Sequence, residues 1–246
     1  MIKPVLILGA TSAIARGTAA AFAARGYSLY LAGRDVSELE RLASDLRIRY
    51  RTEVRIGVFD AEDYISHTGF IERVSNEMGG LEGVLLAFGY LGEQQLAARD
   101  STERVAVIAR NLTGAINLLE PLAACLERQG TGFIIGISSV AGDRGRQSNY
   151  IYASAKGGFT IYLQGLRNRL FHAGICVLTV KAGFVDTAMT YGMPNLFFVA
   201  SPDYVGEQIV RALEKGRNVA YIPWFWRYIM LVLKLVPESI FKRLKL

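Results

Sequence analysis

Seven short, almost unbroken apolar runs, each followed by a longer stretch with helical spacing, constrain this chain more than any other feature. They are Val5 to Leu8, Ser28 to Ala32, Val54 to Phe59, Gly83 to Ala87, Gly132 to Ile137, Cys176 to Val180 and Asn218 to Ile222. A strand that is apolar on both sides must be covered on both faces, which is the situation of a parallel sheet between two helical layers. After the second run, Val36, Leu39, Leu42, Ala43 and Leu46 share one helical face while Glu38, Arg41, Asp45 and Arg49 point away, as in a surface helix. The alternation predicts an α/β fold: a doubly wound, parallel, seven-stranded sheet with helices on both faces. Ligands of such a sheet bind at the carboxyl ends of its strands.

A chain of 246 residues fits one domain of this kind, which we read over 1–222, with 223–246 as an apolar, basic, helical C-terminal extension of it. The net charge is +6, but the cations are scattered except at the C-terminus, so nucleic acid is not an expected partner. Cys125 and Cys176 offer neither a disulfide framework nor a metal cluster. His67 and His172 lie far apart on what read as surface helices, which argues against a metal site and against a Ser-His-Asp hydrolase. Met1 to Gly9 reads as a first strand entering a turn rather than a leader, and a cytoplasmic protein is expected.

The turn after the first strand, Gly9-Ala10-Thr11-Ser12-Ala13-Ile14-Ala15, opens an Ala-rich helix. Its backbone amides and the positive helix end suit a pyrophosphate, which makes Gly9, Thr11, Ser12, Ala13 and Ile14 candidate cofactor contacts. Arg34, just past the second strand, suits the 2′-phosphate of NADP(H), and its other reading is a solvated charge at a helix start. Asp35 falls one place too late for an NAD-type ribose contact, so NADP(H) is preferred and NAD(H) stays open. Asp60, ending the third strand, is read both as an adenine contact and as the N-cap of the next helix.

Tyr152-Ala153-Ser154-Ala155-Lys156 sets a phenol and an ammonium one helical turn apart on one face. Upstream, the apolar strand ending at Ile137 runs into Ser138-Ser139, which puts hydroxyls at the ligand edge of the sheet. The strand, Ser139, a glycine-bearing loop and the Tyr152/Lys156 turn together resemble the short-chain dehydrogenase/reductase family, over nearly the whole chain. The resemblance implies a Rossmann-like fold, a nicotinamide cofactor and oxidoreductase chemistry. It also implies a relay role for Asn111 and a nicotinamide-lining role for Gly183, Val185 and Thr187, and it brings Ala87, Phe88 and Gly89 to the cofactor. Departures from the family pattern are Ala13 and Ala15 in place of glycines, Ala87-Phe88-Gly89 in place of the usual Asn-Ala-Gly, so that the asparagine bracing the sheet there is absent, and Ala182 in place of proline.

These residue types imply a division of labour. A phenol of pKa about 10 is a poor catalyst at neutral pH, and Lys156 is expected to lower it by stabilising the phenolate while also holding the nicotinamide ribose. Ser139 polarises the carbonyl, and Tyr152 protonates its oxygen during reduction. The competing readings are a catalytically inert NADP-binding sensor or scaffold, which the altered glycines permit and the intact Ser139, Tyr152 and Lys156 oppose, and a sugar epimerase or dehydratase, for which there is no room after the seventh strand.

The ending IPWFWRYIMLVLKLVPESIFKRLKL is unusually apolar and aromatic, yet too short and too interrupted by Lys234 and Pro237 to cross a bilayer. It is open to three readings: a lid, a subunit contact, or an interfacial helix with Trp224 and Trp226 at headgroup level and Lys242, Arg243 and Lys245 toward anionic lipid. Arg144 and Arg146 are read either as contacts to an anionic substrate group or as solvated or subunit-contact residues. The opening turn, the Ala87 to Gly92 run, these arginines and the tail resemble the branch of decaprenylphosphoryl 2-keto-ribose reductases, implying a small-molecule or lipid-linked carbonyl substrate. Apolar-faced helices around Arg104 to Arg128 and Tyr150 to Phe171 lead us to expect a homo-oligomer, with peripheral association at the inner membrane face through the tail.

Overall fold

In the computed structural model, which describes residues 4–192 and 197–244, the seven apolar runs form one sheet. Its strands are β1 (Val5–Leu8), β2 (Leu29–Gly33), β3 (Val54–Val58), β4 (Gly83–Leu86), β5 (Gly132–Ser139), β6 (Ile175–Ala182) and β7 (Val219–Ile222). All pair in parallel, in the order β3-β2-β1-β4-β5-β6-β7. The order reverses between β1 and β4, and the strand ends diverge there to leave a crevice.

Among the described residues, ten helices connect and follow the strands. They are α1 (Ala13–Ala23), α2 (Val36–Tyr50), α3 (His67–Met78), α4 (Gln94–Arg99), α5 (Ser101–Ile108), α6 (Gly114–Gln129), α7 (Tyr150–Leu170), α8 (Pro202–Glu214), α9 (Trp226–Leu235) and α10 (Glu238–Phe241). Alternation along β1 divides the core into two layers. Val5 and Ile7 meet α1, α2 and α8 through Phe22, Leu39 and Ile209, while Leu6 and Leu8 join the layer holding Ile71, Leu118 and Phe159 from α3, α6 and α7. Helices α1 and α8 approach backbone to backbone. A Cβ on Gly17 would lie 2.3 Å from the Pro202 carbonyl, and one on Gly206 would lie 2.2 Å from the Gly17 carbonyl carbon.

Several sequence expectations need correction. The helix expected around Arg104 to Arg128 is interrupted by a π-turn at Ala109–Thr113 that carries Asn111. Val36 is half-exposed, because it sits at the start of α2 before the helix meets the sheet. His67 is buried rather than at the surface, packed on the Phe59 ring with Nε2 3.1 Å from the Asp60 carbonyl. Asp60 does not cap α3, since the chain makes turns first; its carboxylate accepts from the amide of Glu62 instead. Trp226 is buried against Val140 and Met230, which leaves Trp224 as the solvent-facing tryptophan of the pair. Lys245 lies outside the described residues. Among those residues no helix is long and apolar enough to cross a membrane.

Candidate active site

A cavity of about 520 Å³ opens along the carboxyl edge of the sheet, centred where the strand order reverses. Its first wall is the turn after β1. Gly9 there has φ +74, and a Cβ would lie 2.7 Å from the Phe88 amide nitrogen, so only glycine allows β1 and β4 to exit this close together. Ser12 caps α1 by accepting from the Ala15 amide at 3.3 Å. Thr11, Ser12, Ala13 and Ile14 line the cavity at the amino end of this helix, where backbone amides and the helix dipole favour an anion.

Beyond the turn lie Arg34 after β2 and Asp60 after β3. Arg34 is exposed at the rim and has no ion-pair partner among the described residues. Asp35 next to it is spent on capping α2, accepting from the Glu38 amide at 3.0 Å. Ala87, Phe88 and Gly89 continue the wall past β4, and Gly183, Val185 and Thr187 line it past β6. A glycine is required at 183, because Trp226 occupies the space a side chain would need.

At the far end are Ser139, Tyr152 and Lys156. Strand β5 carries Ser139 to its last position, level with Ala182 of β6, and the hydroxyl accepts from the Ala141 amide at 3.1 Å. Helix α7 presents Tyr152 and Lys156 from successive turns, with the Lys156 Nζ 5.9 Å from the centre of the Tyr152 ring. Burial pushes the Tyr152 phenol up to about 12, and its hydrogen bond with Ser139 opposes that shift. Burial also pushes Lys156 down to about 8. The expected lowering of Tyr152 by Lys156 is therefore not what this site displays: the ammonium donates to the Ile137 carbonyl at 2.9 Å, and desolvation dominates both groups.

Asn111 is brought near these residues but not onto the cavity wall. It is buried, donates from Nδ2 to the carbonyls of Tyr90 and Val107, and accepts the Tyr90 amide at 3.2 Å. Its side chain thereby braces the loop after β4, the loop in which Phe88 stands. Gly89 sits between the Asn111 amide and Lys156, with a Cβ there falling 2.8 Å from Oδ1 and 3.3 Å from Nζ.

Sequence reasoning missed several residues. Ser138 ties β5 to α7 through the Lys156 carbonyl and the Thr160 hydroxyl. Arg16 and Arg110 also line the cavity, each paired with a carboxylate, Glu38 and Glu62 respectively. Both pairs bridge separate elements, so no local pattern announces them. Arg144, half-buried, does not line the cavity. It donates to the carbonyls of Leu233, Lys234 and Val236, pairs with Glu238 and lies 3.7 Å over the Phe241 ring, which pins α9 and α10 to the loop after Ser139. Arg146 is not on the cavity wall, and its Nε finds no partner.

The comparisons with known proteins agree with this architecture. The model of the short chain dehydrogenase family matches residues 3–194. An uncharacterised oxidoreductase of Mycobacterium tuberculosis is 35% identical over 241 residues, 98% of this chain and 96% of that protein. Another, from Streptomyces coelicolor, is 34% identical over 244 residues with the same coverage, 98% and 96%. Among solved structures, a short-chain dehydrogenase from Sphingobium yanoikuyae in complex with NADPH matches with a TM-score of 0.82 at 23% identity, covering 96% of this chain and 97% of that one. An alcohol dehydrogenase from Thermococcus sibiricus complexed with 5-hydroxy-NADP matches with a TM-score of 0.78 at 24% identity, covering 90% and 96%. With a family model spanning most of its length and relatives above 30% identity over nearly all of it, the chain belongs to the short-chain dehydrogenase family and is an oxidoreductase.

Proposed function

We propose that this oxidoreductase uses NADPH to reduce a ketone or keto-sugar to the alcohol through Ser139, Tyr152 and Lys156. The observation that carries the reading is one continuous cavity that has a helix amino end and a free Arg34 at one side and the Ser139, Tyr152 and Lys156 side chains at the other. The family membership and two fold neighbours crystallised with NADPH or an NADP analogue support the choice of cofactor.

The residues fit a dinucleotide on this chain's own evidence: a turn whose glycine admits no side chain, amides at a helix amino end, and an unpaired guanidinium where a 2′-phosphate would lie. When bound, the nicotinamide supplies hydride. Lys156 would hold the nicotinamide ribose, and Gly183, Val185 and Thr187 on the cavity wall would line the nicotinamide. Ser139 donates a hydrogen bond to the substrate carbonyl oxygen. Tyr152, kept protonated by its burial, delivers its proton to that oxygen as negative charge develops there. Asn111 fixes the loop after β4 through the amide and carbonyl of Tyr90, beside Gly89 and Lys156.

In its finer form the proposal follows the decaprenylphosphoryl 2-keto-ribose reductase branch. The substrate is then a lipid-linked keto-sugar, the tail over 223–246 meets lipid, and the protein works as an oligomer at the cytoplasmic face of a membrane. Purified protein mixed with NADPH and a panel of ketones and keto-sugars tests the activity through the decay of nicotinamide fluorescence. Net consumption with at least one substrate is expected. Tight binding of NADPH with no turnover across the panel would favour an inert sensor, and turnover without net consumption would favour an epimerase.

A further inference from the structure

Helix α9 is apolar on two opposite faces, and the fold uses only one of them. Trp226, Met230 and Leu233 turn inward, where the Trp226 ring lies against Phe184 and fills the space over Gly183. On the other side Trp224, Tyr228, Leu231, Val232 and Leu235 recur at helical spacing and are half or more exposed, from 50% at Leu231 to 73% at Leu235. A helix that is apolar all round normally has both faces covered.

Charge runs along one edge of that open face. Arg227 and Lys234 lie about two turns apart beside the stripe, and Lys242 and Arg243 follow α10. None of the four has an ion-pair partner among the described residues, whereas Glu238, the acidic residue of the segment, is engaged by Arg144. The loop that walls the cavity reaches the same region, where exposed Phe198 packs on Phe225 with ring centres 5.1 Å apart.

From this geometry we infer that the outer face of α9 docks on an anionic lipid bilayer, with the stripe in the acyl boundary and the four cations at the headgroups. An apolar stripe edged by unpaired cations complements a surface that is apolar within and negative outside. A second copy is the competing occupant, and an antiparallel two-fold contact through this face would bring the cationic edges of the two copies together. Closure over the protein's own pocket is ruled out by direction, since the inward face already packs there. The docked helix stands one tryptophan ring away from Gly183 on the cavity wall. The inference deepens the lipid-linked form of the proposed function, and rests on that form only for its biological purpose.

The test is flotation of the full chain with phosphatidylcholine vesicles that either lack phosphatidylglycerol or contain about a third of it, at low and high salt. Co-flotation is expected with the anionic vesicles at low salt, weakening by about fivefold for each cation removed in Arg227→Gln and Lys234→Gln. Leu231→Ser with Leu235→Ser should lose it as well, and because both positions are exposed the variant keeps its fold, which NADPH binding by fluorescence verifies. No flotation of the wild-type chain, or equal flotation on neutral vesicles, overturns the inference. So does a dimer in sedimentation that the serine variant converts to monomer, which would assign the face to a second copy, and so does flotation unchanged by the substitutions. Failure of the carbonyl assay with intact flotation would remove the proposed reaction and leave the docking standing.

Discussion

The ammonium of Lys156 donates to the carbonyl of Ile137 at 2.9 Å, and thereby ties the middle of α7 to the strand that delivers Ser139. This bond fixes the cation on the cavity wall, with its nitrogen 5.9 Å from the centre of the Tyr152 ring. Both groups are buried, and burial favours the neutral form of each.

A pH profile follows from those shifts. The Lys156 ammonium is retained below about 8 and lost above it, whereas the Tyr152 phenol keeps its proton up to about 12. In the proposed reaction, reduction consumes the Tyr152 proton and needs the Lys156 cation at the ribose. Its kcat/KM should therefore be level through neutral pH and fall with one proton's slope above about pH 8, since kcat/KM reports the free enzyme. A profile that stays level well above that value would show that the Lys156 charge is not required.

Replacing Tyr152 by Phe removes one oxygen and its bond with Ser139 while keeping the ring in its packing against Ile151 and Ala153. Turnover should drop by about 10² to 10⁴, the range of a lost general acid, with NADPH affinity nearly unchanged. Steady-state rates together with a fluorescence titration of the nucleotide check both halves. Near-normal turnover would remove Tyr152 from the reaction.

Arg34→Gln tests nucleotide choice. The guanidinium is exposed and unpaired at the rim, so its loss disturbs nothing else in the fold. NADPH affinity should weaken by roughly tenfold to a hundredfold, the worth of hydrogen bonds to a charged phosphate, while NADH affinity stays the same. Parallel titrations of the two nucleotides give the answer, and an equal loss for both would place the 2′-phosphate elsewhere.

Arg144→Gln should release the C-terminal helices. The wild-type side chain collects the carbonyls of Leu233, Lys234 and Val236 and covers the Phe241 ring, and glutamine cannot satisfy that set. A stability loss of about 2 kcal/mol is expected in denaturant titrations, with faster proteolysis within 223–244. Nucleotide binding at the other end of the cavity should survive. A variant as stable and as protease-resistant as the parent would show that α9 is held by its apolar face alone.

Most of the cavity wall was legible because it obeys local rules. Gly9 to Ile14, Arg34, Ala87 to Gly89 and Gly183 each sit just past a strand, and a parallel sheet gathers all such positions on one edge. The Tyr152/Lys156 turn was legible for the same reason, combined with helical spacing. His67 was misread because the pattern around it resembles an exposed helix, and only the packing of Phe59 shows it to be core. Asn111 was expected in a relay role, and what the sequence could not show is the π-turn that carries it and its hydrogen bonds to the loop at Tyr90.

By itself, the sequence determined the order of the strands along the chain, the edge of the sheet where ligands gather, and most of the residues that stand there. Periodicity and turn chemistry are properties of neighbouring residues and need no knowledge of the fold. Tertiary structure decided what depends on approach between distant segments. It set which face of α9 is covered, drew Arg144 to the end of that helix and off the cavity wall, and required glycine at 17 and 206. It also set the protonation of Tyr152 and Lys156, because the removal of water around a charge follows from everything packed against it and not from the residue four places along the chain.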